Sequence, residues 1–559
     1  MLPKKLQTAF AALLLLGFQS QAQLNIQSGA TFFMQTGAQV TVQGNVDNAG
    51  TLTNDGSLRV QGNYLNTGSY TGVGTTGILE MYGTGNATLA PGASTIANLL
   101  INKTAATDLV TLTASTTVST GFTLTNGVLT TNPTVTPAVA LISPASTPYS
   151  FASGKEVVGR VTRTGWSNGS ARVFNQPNML VTTNAGTAPS DLTVTMIPNG
   201  DPTQVEREVK RKFGFAYTGG TGFTADIRYP YLTSELNTNN EVNLVPWRLV
   251  TEWNSRTIDI TRNTGSDWVN TTGITPTELI QEWKLADPNY TMNLTAFMRG
   301  AWNNPTALMR TTINSSGLLQ LNQPYTVPPY LYLGSESVGA IPNGNVVDWI
   351  LVELRKPGTG LPADAISSTV IGRQAAFLLN NGAIVGLNGV SPAELVISKQ
   401  GSGNFIVLRH RNHLSAMSIV KASNVSGDFT NDFSVLANVY EKPLANSQPV
   451  TVLASTAPGN TKYGLWPGDV NANGSITTGD LTQVNVAIAG PASGNLNVYN
   501  RQDVNLDRNV TTGDLSVANV SIAASASTSS SRANSTTPSP KPNQSTKPKV
   551  SHVPGEVVQ

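Results

Sequence analysis

The chain contains no cysteine, which excludes disulfides, cysteine nucleophiles and cysteine-based metal sites. Charged residues are scarce, at 12% of 559 residues, whereas soluble proteins carry about a quarter. The formal net charge is only +2, so the composition does not favour an electrostatic partner such as nucleic acid. Glycine, threonine, asparagine and serine are abundant instead, which is typical of a β-rich extracellular protein with polar, uncharged surfaces.

Long apolar runs are also missing. The most apolar stretch, Ala9 to Phe18, is too short to span a bilayer. It follows Lys4 and Lys5 and precedes the small-residue sequence Ser20–Ala22, which is the pattern of a secretory signal peptide over residues 1–22. We therefore expect a secreted or cell-surface protein without a transmembrane segment.

Motifs for catalysis are missing as well. The sequence has no nucleophile elbow, zincin motif, phosphate loop or dinucleotide fingerprint. His410 and His413 would face opposite sides of one strand, so we expect polar residues at a strand end rather than shared metal ligands. Asp348 and Glu353 cannot be paired as glycosidase carboxylates from their spacing. The sequence favours a protein that is not an enzyme, with a polysaccharide hydrolase as the lesser alternative.

Two segments near the C-terminus repeat each other at an interval of 34 residues. They read DVNANGSITTGDLTQVNVAIA and DVNLDRNVTTGDLSVANVSIA. Both fit the spacing of an EF-hand-type calcium loop, in which alternate side chains supply the six to eight oxygens that calcium takes. The predicted metal ligands are Asp469, Asn471, Asn473, Ser475, Thr477 and Asp480 in the first loop, and Asp503, Asn505, Asp507, Asn509, Thr511 and Asp514 in the second.

The two loops differ at their sixth position, which is Gly474 in the first and Arg508 in the second. If the turn needs a left-handed backbone there, Arg508 costs about 1 kcal/mol. The eighth position holds Ile476 or Val510, apolar residues suited to pairing the loops back to back. We expect about two calcium ions of modest affinity. The alternative is a pair of plain turns, because Asn, Asp and Gly also form turns without any metal.

The duplicated loops resemble a dockerin, the calcium-loop module known from cellulosome enzymes. The resemblance implies a small module over residues 459–524, with short helices at Leu481–Ala489 and Leu515–Ala523. The repeat is wider than in most dockerins, and the helices are rich in Val, Asn and Thr, which are weak helix formers. The usual partner-recognition pattern is not evident, so binding to a cohesin does not follow.

Residues 23–135 are repetitive. The sequence VQGN occurs at Val42–Asn45 and again at Val60–Asn63, at a period of 18 residues. Short alternating strands with Gly and Asn turns at this period predict a parallel β-solenoid, and an irregular antiparallel sandwich is the alternative. Similar pieces occur in haemagglutinin-like surface proteins, where they serve as stalks or adhesive surfaces.

Residues 136–290 and 291–458 each predict an antiparallel β-sandwich. Val157–Arg163 alternates as a strand does, and so does Val209–Phe215, for which a helix is the alternative. The segments LTAFMRGAWNNPTALMRTTI, VVDWILVELRKP and FIVLRHRNHLSAMS resemble a module of large secreted Bacteroidetes proteins, where it commonly precedes a terminal calcium-loop segment. The tail, residues 525–559, is rich in Ser, Thr, Pro and Lys and is predicted to be disordered.

The sequence thus predicts a mostly β, secreted, structural or adhesive surface protein with a calcium-stabilised, dockerin-like C-terminus. A protein or a glycan at the cell surface is the expected partner. Tryptophan faces stack on sugar rings, so a non-catalytic carbohydrate-binding or scaffold component is the main alternative if the tryptophans are exposed, although core packing is more common for any one of them. The tryptophans in question are Trp247, Trp253, Trp268, Trp283 and Trp302.

Overall fold

The computed structural model describes residues 23–131, 138–198, 207–424, 427–441, 449–453, 461–491 and 494–524. The predictions of a signal peptide at 1–22 and of a disordered tail at 525–559 lie outside these residues. The chain is mostly β, as predicted. It divides into two compact units, Met1–Ile197 with Gly214–Ala225 and Pro198–Phe213 with Asp226–Gln559.

Short strands joined by tight turns make up the first unit. Their inward residues are apolar and their outward residues are mostly polar, so burial alternates along each strand. The strands are β1 Leu24–Ile26, β2 Thr31–Met34, β3 Gln39–Val42, β4 Val46–Asn48, β5 Thr51–Asn54, β6 Ser57–Val60, β7 Tyr64–Asn66, β8 Ser69–Gly72, β9 Ile78–Gly83, β10 Ala87–Ala90, β11 Thr95–Lys103, β12 Leu109–Leu112, β13 Thr116–Asn126, β14 Val128–Thr130, β15 Leu141–Pro144, β16 Tyr149–Phe151, β17 Val157–Thr164, β18 Arg172–Val173, β19 Leu180–Asn184 and β20 Asp191–Pro198.

These strands stack in three parallel columns. One column contains β1, β4, β7, β10, β12, β14 and β17. The second contains β3, β6, β9, β11, β13 and β15, and the third contains β2, β5 and β8. This is a parallel β-solenoid of about six turns, so the solenoid prediction is confirmed and the antiparallel alternative is wrong for this region.

The sequence repeat sets the register of the solenoid. Val42 pairs with Val60, the equivalent residue of the next VQGN. The Asn48 side-chain amide donates to Asn66 Oδ1 at 2.6 Å, across the predicted interval of 18 residues, and Asn66 Nδ2 donates to the Pro91 carbonyl at 2.9 Å. Buried asparagines of one turn therefore bond to the next turn, an arrangement that a repeated sequence can form more than once.

Parallel pairing continues beyond residue 135, the predicted end of the solenoid region. Both β14 and β15 pair in parallel with β17. β17 then pairs antiparallel with β20, and the direction of the chain changes there. The start of the segment predicted as a separate sandwich at 136–290 therefore continues the pairing of the solenoid.

The strands of the second unit pair with strands from more distant parts of the sequence. Two strands, β21 Arg211–Thr218 and β22 Thr224–Pro230, cross the division between the units. The others are β23 Val245–Leu249, β24 Trp253–Ser255, β25 Ile260–Asn263, β26 Trp268–Ile274, β27 Glu282–Ala286, β28 Asn289–Thr295, β29 Trp302–Asn303, β30 Leu308–Met309, β31 Val346–Arg355, β32 Val370–Leu379, β33 Ala383–Val385, β34 Ala393–Val396, β35 Phe405–Arg409, β36 Ala416–Met417, β37 Asp428–Asp432, β38 Val450–Leu453 and β39 Lys462–Leu465.

One large sheet organises this unit, and it follows the order β34, β28, β33, β32, β31, β35, β36, with β37 added in parallel to β28. Its central strand, β31, is buried at every position, so both of its faces are covered. Trp349 and Phe377 pack ring against ring across β31 and β32, with centroids 4.2 Å apart. Because this strand is buried on both faces, the charged residues in it need partners inside the protein.

Four α-helices occur in the described residues: α1 Pro276–Leu279, α2 Thr312–Ser315, α3 Thr478–Ile488 and α4 Thr512–Ala523. The last two lie where the calcium-loop interpretation expects helices, and each begins about one turn earlier than predicted. None of these helices has the length and apolar character needed to cross a membrane.

Candidate metal centre

The first repeat forms a loop whose side-chain oxygens are drawn together by main-chain amides. The Asn473 N–H donates to Asp469 Oδ1 and to Asn471 Oδ1, both at 2.9 Å. Asp469 Oδ2 accepts from the Gly474 N–H at 3.0 Å, and Asp480 Oδ1 accepts from the Asn471 N–H at 3.2 Å. The first, third and last residues of the predicted loop are therefore brought to one place.

The second repeat forms the same set of bonds. The Asp507 N–H donates to Asp503 Oδ1 at 3.1 Å and to Asn505 Oδ1 at 2.9 Å. Asp503 Oδ2 accepts from the Arg508 N–H at 2.8 Å, and Asp514 Oδ1 accepts from the Asn505 N–H at 3.2 Å. Equivalent residues in the two repeats thus form equivalent hydrogen bonds, which accounts for the similarity of their sequences.

Burial disfavours the negative charge of the first carboxylate of each loop. It raises the pKa of Asp469 to about 7, and the neighbouring Asp480 carboxylate acts in the same direction. Burial also raises the pKa of Asp503 to about 7, with Asp514 adding to the effect. A bound cation would offset this cost by supplying positive charge. The donor set of carboxylate and amide oxygens fits a hard cation such as calcium.

The backbone of both loops turns through left-handed conformations at equivalent positions. Ala472 and Leu506, the fourth residues, have φ of +54° and +59°. Gly474 and Arg508, the sixth residues, have φ of +87° and +75°. Arg508 therefore occupies the conformation that favours glycine, at a cost of about 1 kcal/mol. It nevertheless makes the same main-chain hydrogen bond as Gly474, so the substitution does not distort the loop.

Ser475 and Asn509, the predicted ligands at the seventh position of each loop, form structural hydrogen bonds. The Ser475 N–H donates to Asn473 Oδ1 at 2.9 Å, and the Asn509 N–H donates to Asp507 Oδ1, also at 2.9 Å. These bonds close the middle of each loop.

The two loop threonines are the N-caps of α3 and α4. Thr477 Oγ1 accepts from the Gly479 N–H at 3.2 Å, and Thr511 Oγ1 accepts from the Gly513 N–H at 3.1 Å. Each thus satisfies one of the free amides at a helix N-terminus. The caps start the helices directly after the loops.

The loops do not pair back to back through their eighth residues. Ile476 packs against Leu414 and Trp466, whereas Val510 belongs to a different apolar cluster. The Val510 N–H donates to the Asn495 carbonyl at 2.6 Å. The linker between the repeats therefore bonds to Val510 at the place where Ile476 of the first loop would have to pair. The predicted pairing is wrong because the linker between the repeats lies beside Val510 instead.

Within the described ranges, no group of three or more His, Cys, Asp or Glu side chains is placed to hold a metal ion. The predicted loops depend instead on a mixture of carboxylates and asparagine amides. No family model, curated protein or solved structure matches this chain. The resemblance to dockerins therefore stays a prediction that rests on the two loops.

A run of five buried polar residues, Arg409–His413, contacts the second loop and the residues that precede each loop. The Asn412 side chain donates from Nδ2 to the Asp503 carbonyl at 2.6 Å, while its own main-chain carbonyl accepts from the Gly468 N–H at 2.9 Å. The Arg501 Nε donates to the Arg411 carbonyl at 3.1 Å. We name residues 409–413 the docking loop, because it joins the large sheet to the segment that carries the repeats.

The two histidines of the docking loop lie side by side, contrary to the prediction. β35 ends at Arg409 and the chain then turns, so the Nδ1 atoms of His410 and His413 are 3.2 Å apart. Burial lowers the pKa of both rings, and for His413 the neighbouring His410 adds to the shift. Burial therefore disfavours the charged form of both rings. They do follow the end of a strand, as the sequence predicts.

Arg411 is held by a buried carboxylate from the central strand. Its Nε donates to Asp348 Oδ2 at 2.8 Å, and the Tyr499 hydroxyl donates to Asp348 Oδ1 at 2.6 Å. Burial alone would raise the pKa of Asp348, but Arg411 and His410 outweigh it and hold that pKa well below its usual range. The Arg411 guanidinium also lies 4.3 Å from the centre of the Tyr499 ring. Tyr499, in the linker between the repeats, therefore contacts both members of the buried Asp348–Arg411 ion pair.

The second carboxylate considered for catalysis, Glu353, is surrounded by arginines. Arg355, Arg373 and Arg409 lie 2.5, 3.0 and 3.3 Å from its oxygens. Burial opposes ionisation, yet these three cations lower the pKa of Glu353 to about 2. Neither Asp348 nor Glu353 is exposed to solvent, and both are committed to ion pairs rather than to a cleft.

The tryptophans do not form the exposed surface on which the carbohydrate-binding alternative depends. Trp247 and Trp283 are fully buried. Trp253, Trp268 and Trp302 are half-buried and are engaged by neighbours, such as Lys284 over Trp253 at 4.2 Å. Core packing, the alternative stated for these residues, accounts for them.

Sequence reasoning missed the role of Arg411, Asn412 and Tyr499 in holding the repeats. The available signal was the run RHRNH directly after the apolar strand FIVL, since five polar residues at a strand end exceed what a turn needs. Asp348, its partner, lies 63 residues earlier in the sequence. That distance is why spacing could not connect the two.

Proposed function

We propose that this chain is a secreted, multidomain cell-surface protein with a structural or adhesive role, whose C-terminal loops bind about two calcium ions. The observation that carries the proposal is the hydrogen-bonding pattern shared by the two loops, which gathers equivalent oxygens around buried carboxylates. In this proposal residues 459–524 are a dockerin-like module, and two antiparallel sandwiches, one after β17 within 136–290 and one over 291–458, precede it along the chain.

Calcium, when bound, supplies positive charge and takes six to eight oxygen ligands. Asp469 and Asp480 would provide the carboxylates of the first loop. Asp503, Asp507 and Asp514 would provide those of the second. Because ligand charge tunes calcium affinity, we expect the second loop to bind more tightly than the first. The raised pKa values of Asp469 and Asp503 support a role for a cation at both places.

The solenoid supports the structural or adhesive part of the proposal. About six turns, spaced by about 4.8 Å, give a ribbon roughly 30 Å long. Its outward residues include threonine and serine, for example Thr51, Thr53 and Ser57 along β5 and β6. A repetitive surface with many hydroxyl groups is suited to contacts with glycans or with other surface proteins through many weak hydrogen bonds.

Calorimetric titration of the full chain with calcium tests the metal part of the proposal. We expect about two ions per chain, and we expect Asp480→Ala and Asp514→Ala each to remove one of them. Magnesium is the matched control ion, because it demands a smaller octahedral site and should compete poorly. If millimolar calcium produces no binding, the loops are plain turns and the calcium proposal is wrong.

Binding of the calcium-loaded full chain to a glycan array and to whole cells tests the adhesive part. If the full chain is retained on cells or glycans and leaves the bound glycan chemically unchanged, the result supports adhesion. Release of sugars from a polysaccharide, measured as new reducing ends, would instead favour the hydrolase alternative. The location of the protein in cell fractions, detected with an antibody, tests secretion separately.

A further inference from the structure

The second loop, unlike the first, is held through its main chain by residues from outside the repeats. The Asp503 carbonyl accepts from Asn412 Nδ2 at 2.6 Å. The Asn505 carbonyl accepts from Arg310 Nη2 at 3.0 Å. Between them, the Val504 carbonyl lies so close to Gly300 that a Cβ there would approach it to 2.1 Å. Three successive carbonyls at the start of the loop are thus fixed against other parts of the unit.

The first loop is joined to the same surroundings through residues that precede it. The Gly468 N–H donates to the Asn412 main-chain carbonyl at 2.9 Å, and the Leu414 N–H donates to the Trp466 carbonyl at 2.8 Å. These bonds involve only main-chain atoms, so substitution of the Asn412 side chain leaves them in place. The Asn412 side chain therefore distinguishes the two loops.

We propose that Asn412 and Arg310 are positioning residues of the second calcium loop, so that calcium binding there is linked to the docking of the loop on the rest of the unit. This inference rests on the proposed calcium function. Asn412 and Arg310 donate to the main-chain carbonyls of Asp503 and Asn505. The side-chain oxygens of Asp503 and Asn505 therefore stay available to the ion. They therefore hold the loop in shape without competing for the metal.

Two physical arguments support this assignment. A loop held in its binding conformation loses less conformational entropy when the ion arrives, so positioning residues raise affinity without touching the ligand. The linkage also works in reverse. If docking raises the calcium affinity of the loop, calcium stabilises the docked state by the same free energy. Asn412 is itself fixed, since its Oδ1 lies 2.8 Å from His413 Nδ1 and the whole docking loop is buried.

The test compares calcium affinities in full-length chains that retain one loop each. Asp480→Ala leaves the second loop, and Asp514→Ala leaves the first. We expect Asn412→Ala to weaken calcium binding about tenfold in the chain that retains the second loop. In the chain that retains the first loop, the same substitution should change the affinity by less than about twofold.

Asn404→Ala is the matched control. Asn404 is a buried asparagine of the same unit that donates from Nδ2 to the Gly401 carbonyl at 2.6 Å and does not belong to the docking loop. We expect it to lower the general stability without a preference for either loop. Arg310→Ala provides a second test should Asn412→Ala fail to fold, and Arg310→Lys should recover part of the affinity because it retains a donor.

The possible outcomes separate the two proposals. Loss of affinity confined to the second loop supports the positioning role. Equal loss at both loops, or no loss at either, overturns it while leaving the calcium proposal intact. Absence of calcium binding in the unsubstituted chain overturns the calcium proposal and, with it, this inference.

Discussion

The early turns of the solenoid and the large sheet of the second unit bury polar groups in different ways. In the early turns of the solenoid the buried polar residues are neutral asparagines, such as Asn48 and Asn66, which bond to the next turn. Around the large sheet of the second unit they include ions, such as Asp348 and Arg411, whose partners come from distant parts of the sequence. Neutral ladders cost little desolvation and repeat easily, whereas buried ions are costly unless every partner is present. The second unit should therefore be the one that responds to pH, to metal and to single substitutions.

The largest effect should follow from removing one partner of the buried ion pair. Arg411→Ala leaves the Asp348 carboxylate buried without its cation, which we expect to cost about 3–5 kcal/mol. Denaturant unfolding of the full chain, followed by tryptophan fluorescence, would measure this loss, because most of the tryptophans lie in the second unit.

Arg59→Ala in the solenoid is the matched control for Arg411→Ala. Arg59 also pairs with a carboxylate, Glu80 at 2.7 Å, but its side chain is 28% exposed. We expect that substitution to cost about 0–1 kcal/mol. Equal losses for the two arginines would contradict the contrast between the units.

Acid should weaken the second unit through Glu353. Its pKa is about 2 in the folded protein, below the ordinary value of 4.5. The stability that Glu353 contributes is therefore fully present above pH 4.5 and is lost as the pH falls towards 2, by an amount on the order of 3 kcal/mol. Unfolding free energies measured between pH 6 and pH 2.5 would show this loss.

Glu353→Gln provides the comparison for the acid effect. The variant lacks the titrating group, so its stability should be lower at pH 6 but should fall less between pH 4.5 and pH 2.5. The other groups that titrate in this range are retained in both proteins, and their contributions cancel in the difference. A variant with the same pH slope as the parent chain would show that Glu353 is not the source.

The asparagine ladder should give an intermediate effect that is confined to the solenoid. Asn66→Ala removes the donor to the Pro91 carbonyl and the acceptor for Asn48, which we expect to cost about 1–3 kcal/mol. Hydrogen exchange would locate the loss in the neighbouring turns. Asn63→Ala is the control, because Asn63 accepts from the Thr88 N–H at 2.8 Å but is exposed to solvent. Equal costs for the buried and the exposed asparagine would contradict the ladder account.

The smallest effect should come from relieving backbone strain in the second loop. Arg508 has φ of +75°, so Arg508→Gly should stabilise the folded chain by up to about 1 kcal/mol. The reciprocal substitution Gly474→Ala, at φ of +87°, should destabilise it by a similar amount. Thermal unfolding of the two variants in the presence of calcium would measure both. A destabilised Arg508→Gly chain would mean that the arginine side chain contributes more than its backbone costs.

The solenoid could be predicted from the sequence because its repeat and its structure have the same period. Each VQGN forms the same strand and turn, so the interval between repeats gives the register directly. The end of this region could not be placed, because β17 pairs in parallel through a stretch that no longer repeats. Alternation alone does not tell a parallel strand from an antiparallel one.

The candidate site could be predicted only as far as its local pattern extends. The ligands of each loop lie within twelve residues, so spacing was enough to bring Asp469 and Asp480 together. The docking loop was missed because its contacts with Asp348 and Asp503 join residues that are 63 and 91 positions apart. The back-to-back pairing of the loops failed for a related reason, since nothing local showed that residue 495 would pair with Val510.

Hydrogen exchange of the full chain, in calcium and in chelator, tests the central claim most directly. The account predicts that calcium slows exchange in both repeats and in the docking loop, and that it leaves the strands of the solenoid unchanged, because the linked ligand stabilises only the states that bind it. Identical exchange in the two conditions, or protection spread evenly over the solenoid, would contradict it.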